Sequence, residues 1–411
     1  MERTNMEKNI ILFIEKLTGG GAERVVSNLS LNFPENIHTH IVLHHPYDEG
    51  SSYEYGGKLT DLQPPSILKN ILKWKLLYVY WAYKLLKIKK RENIDMIISF
   101  IDISNLINIC ANLIFRHESK VVISVRNYPS KRKEDLLKAF TKLFYHRADH
   151  IVAISEGVKY DLIENFDISE ENITTIYNPC NADKIVKLSK EKISDADFLS
   201  LLDDGGTIII NVASFKDSGQ KGQWHLIRAF KKVREDVKDA KLVFIGTGEL
   251  KQKMIKLSVN LGMKDDVLFL GWKQNPFKFM SRSDIFILSS LFEGFGNVIT
   301  EAMACGLPVV STDCPAGPRE ILAPDTNVKR TLKNHIEYAE YGVLTPVCDG
   351  IYYDGDQPLT KEENLLAESI TRVLKDKELR KHYEKRSKER VKDFEPDNII
   401  NRWIELIYDI G

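Results

Sequence analysis

DIFILSSLFEGFGNVITEAMACGLPVVSTDCPAGPREIL, residues 284–322, contains a complete strand–helix–strand unit. The run Ile285–Leu288 is continuously apolar and ends at two serines, as a strand buried on both faces must. Gly294 and Gly296 then free the backbone to bend, and the helix through Val298–Ala304 follows. A second apolar run, PVVST (308–312), returns to the sheet and ends in a loop rich in Pro and Gly, where Pro318 suits the first turn of another helix. Strand, helix and strand in this order make a parallel pair with a crossover.

The same pattern extends in both directions. IILFI (10–14), HIVL (40–43), MIISF (96–100), VVISV (121–125) and HIVAIS (150–155) read as buried strands in a front block. IIINVASF (208–215), KLVFIG (241–246) and VLFLG (267–271) join the two strands above in a back block. Helical patterns separate them, so the chain predicts an α/β protein with parallel sheets covered on both faces. The polar stretch KLSKEKISDADFLSLLDDGG (187–206) marks the expected boundary between blocks.

Composition narrows the function. The 411 residues allow two or three domains, and 43% hydrophobic residues are enough for real cores. Basic and acidic side chains balance at 58 each, which argues against a nucleic-acid binder. Residues 1–150 nevertheless carry 22 Lys or Arg against 16 Asp or Glu, so the front half is expected to meet something anionic. Five widely spaced cysteines with no CxxC pair fit a reducing cytoplasm rather than a disulfide or zinc framework. The opening MERTNMEKNIILFIEK has too short an apolar run for a signal peptide and reads as a first strand; no run approaches the roughly 20 apolar residues of a bilayer span.

Four segments carry candidate chemistry. Thr18-Gly19-Gly20-Gly21-Ala22-Glu23-Arg24 follows the first strand, and its glycines permit close approach of a ligand to the free N–H groups of the next helix. A tight turn with no ligand explains the same glycines. Glu293-Gly294-Phe295-Gly296-Asn297, with Glu301 one turn into the helix, lies at the carboxyl end of a strand, where open α/β sheets bind ligands. Carboxylates there suit sugar and ribose hydroxyls; a capping and a solvent-facing carboxylate are the plainer alternative. Asp313–Glu320 supplies a third loop beside it. Ser214–Gly222, SFKDSGQKG, follows the first strand of the back block, and Lys221 can reach a diphosphate as a point charge. Taken alone, that lysine reads as a solvated surface residue.

Together these segments resemble glycosyltransferase family 4, the retaining enzymes of the GT-B fold. The match rests on Glu293 and Glu301 with seven residues between them, on TGGGAERVV, on the Tyr177-Asn178-Pro179 turn and on YGVLTPV (341–347), and it covers essentially the whole chain. The resemblance implies two Rossmann-like domains whose parallel sheets face across a cleft. Residues 1–190 would bind acceptor, 191–395 would bind the nucleotide sugar, and 396–411 would form a helix packing back on the first domain. It further implies that Glu301 binds the donor ribose, that Glu293 binds the donor sugar, and that the backbone of Phe295–Val298 (Phe295, Gly296, Asn297, Val298) with Gly294 faces sugar and diphosphate. Gly20, Gly21, Ser214, Lys216 and Lys221 would lie near the phosphates, and Trp272 and Lys273 near the base.

Two departures stand out against that family. Serine occupies position 214 where many members carry an arginine paired with the lysine, leaving Lys216 as a substitute. Arg126 and Asn127 stand where many have a histidine after the fourth strand; they are assigned to the acceptor side, Arg126 with a phosphate role or a buried structural ion pair. SVRNYP resembles a branch that builds bacterial surface glycans. The implied reaction moves a hexose or N-acetylhexosamine from a UDP-sugar to a lipid-linked or oligosaccharide acceptor with retention. In it the donor phosphate takes the acceptor proton while Lys221 and helix N-termini stabilise the leaving diphosphate. Asp354-Gly355-Asp356 has a metal-binding DxD form but lies in a late polar loop, so no essential metal or other cofactor is expected. A sugar-nucleotide epimerase of the same architecture and a catalytically silent partner subunit are the alternatives.

Residues 67–91, ILKNILKWKLLYVYWAYKLLKIKKR, carry eight basic and no acidic side chains from Lys69 to Arg91. Trp74, Tyr78, Trp81, Leu85 and Ile88 recur at helical steps, as in a basic amphipathic helix lying in a membrane interface. Lys131, Arg132 and Lys133 are expected to extend that face, placing the chain on the inner, anionic surface of the cell membrane. The alternative is a helix that packs its aromatic stripe on the sheet.

Overall fold

The computed structural model describes residues 6–48, 52–64, 74–115, 119–216 and 218–411, without the side chains of 74, 75 and 115. The chain divides into two compact units, residues 1–179 with 396–411, and residues 180–395.

In the first unit the described strands are β1 (Lys8–Ile14), β2 (Ile37–Leu43), β3 (Lys58–Asp61), β4 (Met96–Phe100), β5 (Lys120–Val125), β6 (His150–Ala153) and β7 (Ile173–Thr175). They form one parallel sheet in the order β3-β2-β1-β4-β5-β6-β7. The order reverses between β1 and β4, and the glycine loop leaves β1 at that point. Ile10–Ile14 are wholly buried because helices cover both faces. On one face lies the Pro396–Ile410 helix, whose Ile399, Ile400, Trp403, Leu406 and Ile407 repeat at three- and four-residue steps and enter the sheet's core. Tyr408 ties the helix end down by donating to the Met6 carbonyl and accepting from Asn36 Nδ2.

The other face carries the Trp74–Arg91 helix. The expected membrane stripe is corrected here: Trp81, Leu85 and Ile88 are buried against Leu62, Ile94, Ile97 and Ile107, and the His44 ring lies 4.9 Å from Trp81. Apolar periodicity marks one face of a helix for burial without naming what buries it, and here the sheet does. Lys89 is buried as well, and its burial pulls the ammonium down to about 8. Arg132 also turns inward, to a buried ion pair with Asp102, whereas Lys131 and Lys133 are exposed. Residues 67–73, with Lys69 and Lys73, lie outside the described residues, as do the side chains of Trp74 and Lys75.

In the second unit β8 (Ile208–Val212), β9 (Lys241–Ile245), β10 (Val267–Phe269), β11 (Ile285–Leu288), β12 (Val309–Thr312), β13 (Glu337–Tyr338) and β14 (Val343–Thr345) run in the order β10-β9-β8-β11-β12-β14-β13, parallel except for β13. This order reverses between β8 and β11. The changeover between units falls at Pro179–Cys180, ahead of the charged stretch. Residues 182–189 form a helix in the second unit, held where Asn275 Nδ2 and Arg282 Nη1 donate to the carbonyls of Leu188 and Ser189.

Candidate active site

The strand order reverses between β8 and β11, and the carboxyl ends of strands at such a reversal are where doubly wound sheets hold ligands. The loop after β8 carries Lys221 and the loop after β11 carries Glu293, and the two are stitched together. Leu291 N donates to the Gln220 carbonyl at 2.8 Å, Gln220 Nε2 to the Phe292 carbonyl at 2.8 Å, and Ser289 Oγ to the Lys221 carbonyl at 2.8 Å. Gly222 caps the Gln223–Asp236 helix with φ +56°, and a Cβ there would lie 2.4 Å from the Ser289 carbonyl oxygen. No side chain but hydrogen fits that approach.

Within this frame Lys221 Nζ sits 2.6 Å from Glu293 Oε1, and Ser290 Oγ donates to the same oxygen at 2.6 Å. The Glu293 side chain is 7% exposed and that of Lys221 23%, so the pair is shielded but not sealed from solvent. Beneath it lies the 313–317 loop, whose Pro315 carbonyl accepts from Glu293 N at 3.1 Å. Cys314 is buried there, and its thiol is pushed well up by burial and by the Glu293 carboxylate. Gly317 packs against Phe295 so closely that a Cβ would meet the Phe295 carbonyl oxygen at 1.8 Å. Asp313 and Arg319 form a buried two-pronged pair, with Arg319 Nε and Nη2 donating at 3.0 and 2.7 Å. Sequence reading left this pair unassigned.

Gly296 takes φ +86° and starts the Asn297–Ala304 helix, so the first N–H groups of that helix open beside Glu293. Asn297, Val298 and Glu301 are half-buried on it, Gly294 is half-buried before it, and Phe295 is buried against Phe394. Ser214 turns its carbonyl to Gln223 Nε2 at 3.0 Å, and Lys216 is exposed. Trp272 is 69% exposed at the carboxyl end of β10. Its neighbour Lys273 is bonded to Asp195 at 2.7 Å, the residue that caps the Ala196–Asp203 helix.

The first unit assembles a second group at its own reversal point. Gly20 precedes the Gly21–Asn32 helix, and the Glu23 carboxylate folds back over it, 2.0 Å from where a Cβ on Gly20 would stand. Burial raises the Glu23 carboxyl from its ordinary range, opposed by its backbone hydrogen bond and by Lys16 and Arg126. Arg126 is pulled down to about 9 by burial, with Glu23 opposing. It donates to Ser124 Oγ at 3.2 Å and to Asn178 Oδ1, the asparagine of the Tyr-Asn-Pro turn. Glu23 lies within the TGGGAER motif, and nothing local in the sequence says that the third helical residue will fold back. Asn127 points the other way. Its amide bridges Asp102 Oδ2 at 3.0 Å and Arg132 Nη2 at 2.5 Å, so its hydrogen bonds are spent on bracing the loop. Ile101, just before Asp102, holds φ +73°, an uncommon conformation for a β-branched residue.

The profile described as Glycosyltransferase Family 4 matches residues 19–184, and that described as Glycosyl transferases group 1 matches residues 193–338. An uncharacterized glycosyltransferase of Methanocaldococcus jannaschii is 36% identical over 352 residues, which span 82% of this chain and 85% of the relative. The N-acetylgalactosamine-N,N'-diacetylbacillosaminyl-diphospho-undecaprenol 4-alpha-N-acetylgalactosaminyltransferase of Campylobacter jejuni is 30% identical over 398 residues, 93% of this chain and 95% of that one. Among solved structures, Anabaena HepE in complex with UDP and glucose aligns with a TM-score of 0.70 at 18% identity, covering 98% of this chain and 100% of that one. The last likeness concerns the fold, the two Rossmann-like sheets of GT-B proteins. The chain belongs to the glycosyltransferases, joining a Family 4 amino-terminal region to a group 1 carboxy-terminal region.

Proposed function

We propose that the chain transfers a hexose or N-acetylhexosamine from a UDP-sugar to a lipid-linked saccharide, with retention and without an essential metal, in surface glycan synthesis. The observation that carries this reading is the pairing of Lys221 and Glu293 at the β8/β11 reversal, beside the amino end of the helix bearing Glu301. Lys221 and the helix N–H groups supply positive charge to a leaving diphosphate, while Glu293 and Glu301 accept hydrogen bonds from sugar and ribose hydroxyls. The acceptor class is supported by the Campylobacter relative, whose name specifies a diphospho-undecaprenol-linked saccharide. Arg126 serves the acceptor side. The test is to incubate the purified chain with UDP-hexoses, UDP-N-acetylhexosamines and an undecaprenyl-diphosphate oligosaccharide, in EDTA, and to read the product's anomeric proton by NMR. An α-linked product from an α-donor is expected; an inverted product, or activity lost with EDTA, contradicts the proposal.

The chain works at the anionic inner face of the membrane. No described helix is long and apolar enough to cross a bilayer. The Trp74–Arg91 helix, with Trp81, Leu85 and Ile88 packed inward, still exposes Leu76, Val79 and Tyr83 together with Lys87, Lys90 and Arg91. Basic side chains near an anionic surface contribute up to about 1 kcal/mol each, weakened by salt. The chain is therefore expected to sediment with anionic liposomes, much less with neutral ones, and to be released by high salt. Changing Lys87, Lys90 and Arg91 to Glu should abolish sedimentation without lowering the melting temperature; Lys89 is left alone because it is buried. Equal sedimentation with neutral vesicles contradicts this placement.

A further inference from the structure

Lys221 donates to Glu293 Oε1 at 2.6 Å, and that oxygen holds its place through Ser290 Oγ. The pair is more shielded than a surface ion pair, so the attraction is correspondingly stronger. A diphosphate that takes Lys221 must compete with Glu293 for the ammonium, and it arrives beside a carboxylate of like charge. What Glu293 receives in exchange depends on the ligand. A sugar carried beyond the diphosphate offers hydroxyl donors that replace the ammonium. A nucleoside diphosphate that has lost its sugar offers no donor there.

We infer that Glu293 discriminates against the spent nucleoside diphosphate by holding Lys221, and so hastens its release after transfer. The inference rests on the reading that Lys221 meets the donor diphosphate. Before transfer, Glu293 exchanges Lys221 for sugar hydroxyls. After transfer the sugar leaves with the acceptor, Glu293 reclaims Lys221, and the nucleotide loses its principal counter-charge. The residue thereby distinguishes substrate from product by the donors each one presents.

The test is calorimetric titration of UDP and of uridine into the full chain, Glu293→Gln, Lys221→Met and the double variant. Glutamine keeps an acceptor for Ser290 and removes the charge; Glu293→Ala is titrated alongside, so that one misfolded variant does not decide the outcome. Glu293→Gln is expected to bind UDP about tenfold more tightly than the parent, with uridine unchanged and with the gain absent in the Lys221→Met background. Unchanged or weaker UDP binding by both Glu293 variants overturns this inference while leaving the donor reading intact. Equal tightening in the Lys221→Met background also overturns it, because the carboxylate would then act on the phosphates directly. A parent chain that binds no nucleoside diphosphate overturns the donor reading itself, and the inference with it.

Discussion

Lys221→Ala is expected to lower turnover on the order of a hundredfold, roughly 2.7 kcal/mol of transition-state stabilisation. Position 214 carries serine, whose carbonyl is engaged by Gln223. Lys216 is exposed, with its carbonyl accepting from Gly219 N. Among the described residues of this loop, Lys221 is the ammonium paired with Glu293 at the β8/β11 reversal. Its removal takes away the point charge that a departing diphosphate would gain most from, and it leaves the buried Glu293 carboxylate without its ammonium, still bonded to Ser290 Oγ. Both changes oppose the developing negative charge. Steady-state kinetics should show the loss mainly in kcat, since the leaving charge is greatest in the transition state. Turnover within twofold of the parent would move the phosphate role to Lys216 or Arg126.

Arg319→Ala is expected to cost about 3–5 kcal/mol of folding stability, the scale for breaking a buried ion pair by removing one partner. Arg319 donates to both oxygens of Asp313, to Glu337 Oε2 at 3.0 Å and to Thr326 Oγ1 at 3.0 Å, and its side chain is 4% exposed. Asp313 also accepts from Leu332 N at 2.9 Å. Three stretches of chain meet at this guanidinium. Without it the Asp313 carboxylate, 2% exposed, has no counter-charge of comparable geometry among the described residues. Arg319→Lys restores a charge but not the planar two-pronged contact, so it should recover only part of the loss. Because Gly317 and Pro315 hold Phe295 and Glu293 through the same loop, the variant should lose activity at temperatures below its unfolding transition. Urea denaturation that matches the parent within 1 kcal/mol would contradict this ion pair's assigned weight.

The alternation of buried strands and helices was legible because strands covered on both faces are continuously apolar, as Ile10–Ile14 and Ile285–Leu288 show. β3, with the sequence KLTD, β7, with ITT, and β13, with Glu337–Tyr338, carry too few apolar residues to stand out, and pairing in space makes them strands. The spacing of Glu293 and Glu301 was equally legible, since it lies within one loop and one helix. Their partners were not. Lys221 and Glu293 are 72 residues apart, and Lys273 and Asp195 are 78 apart, so only the fold brings either pair together. The same reason misled the reading of the Trp74–Arg91 helix. Its apolar stripe is real, but Trp81 and Leu85 face a sheet whose position no local pattern records.

In the proposed function the second unit grips a uridine nucleotide through the loops after β8 and β11, with Glu301 on the ribose. The most direct measurement is thermal unfolding of the full chain and of Glu301→Ala across a UDP titration, because a ligand bound to the folded state raises its melting temperature by mass action. A concentration-dependent rise is expected for the parent and a much smaller one for Glu301→Ala, whose lost charged hydrogen bond weakens binding by about tenfold or more. Equal rises for the two chains, or no rise for the parent with UDP at millimolar concentration, would contradict it.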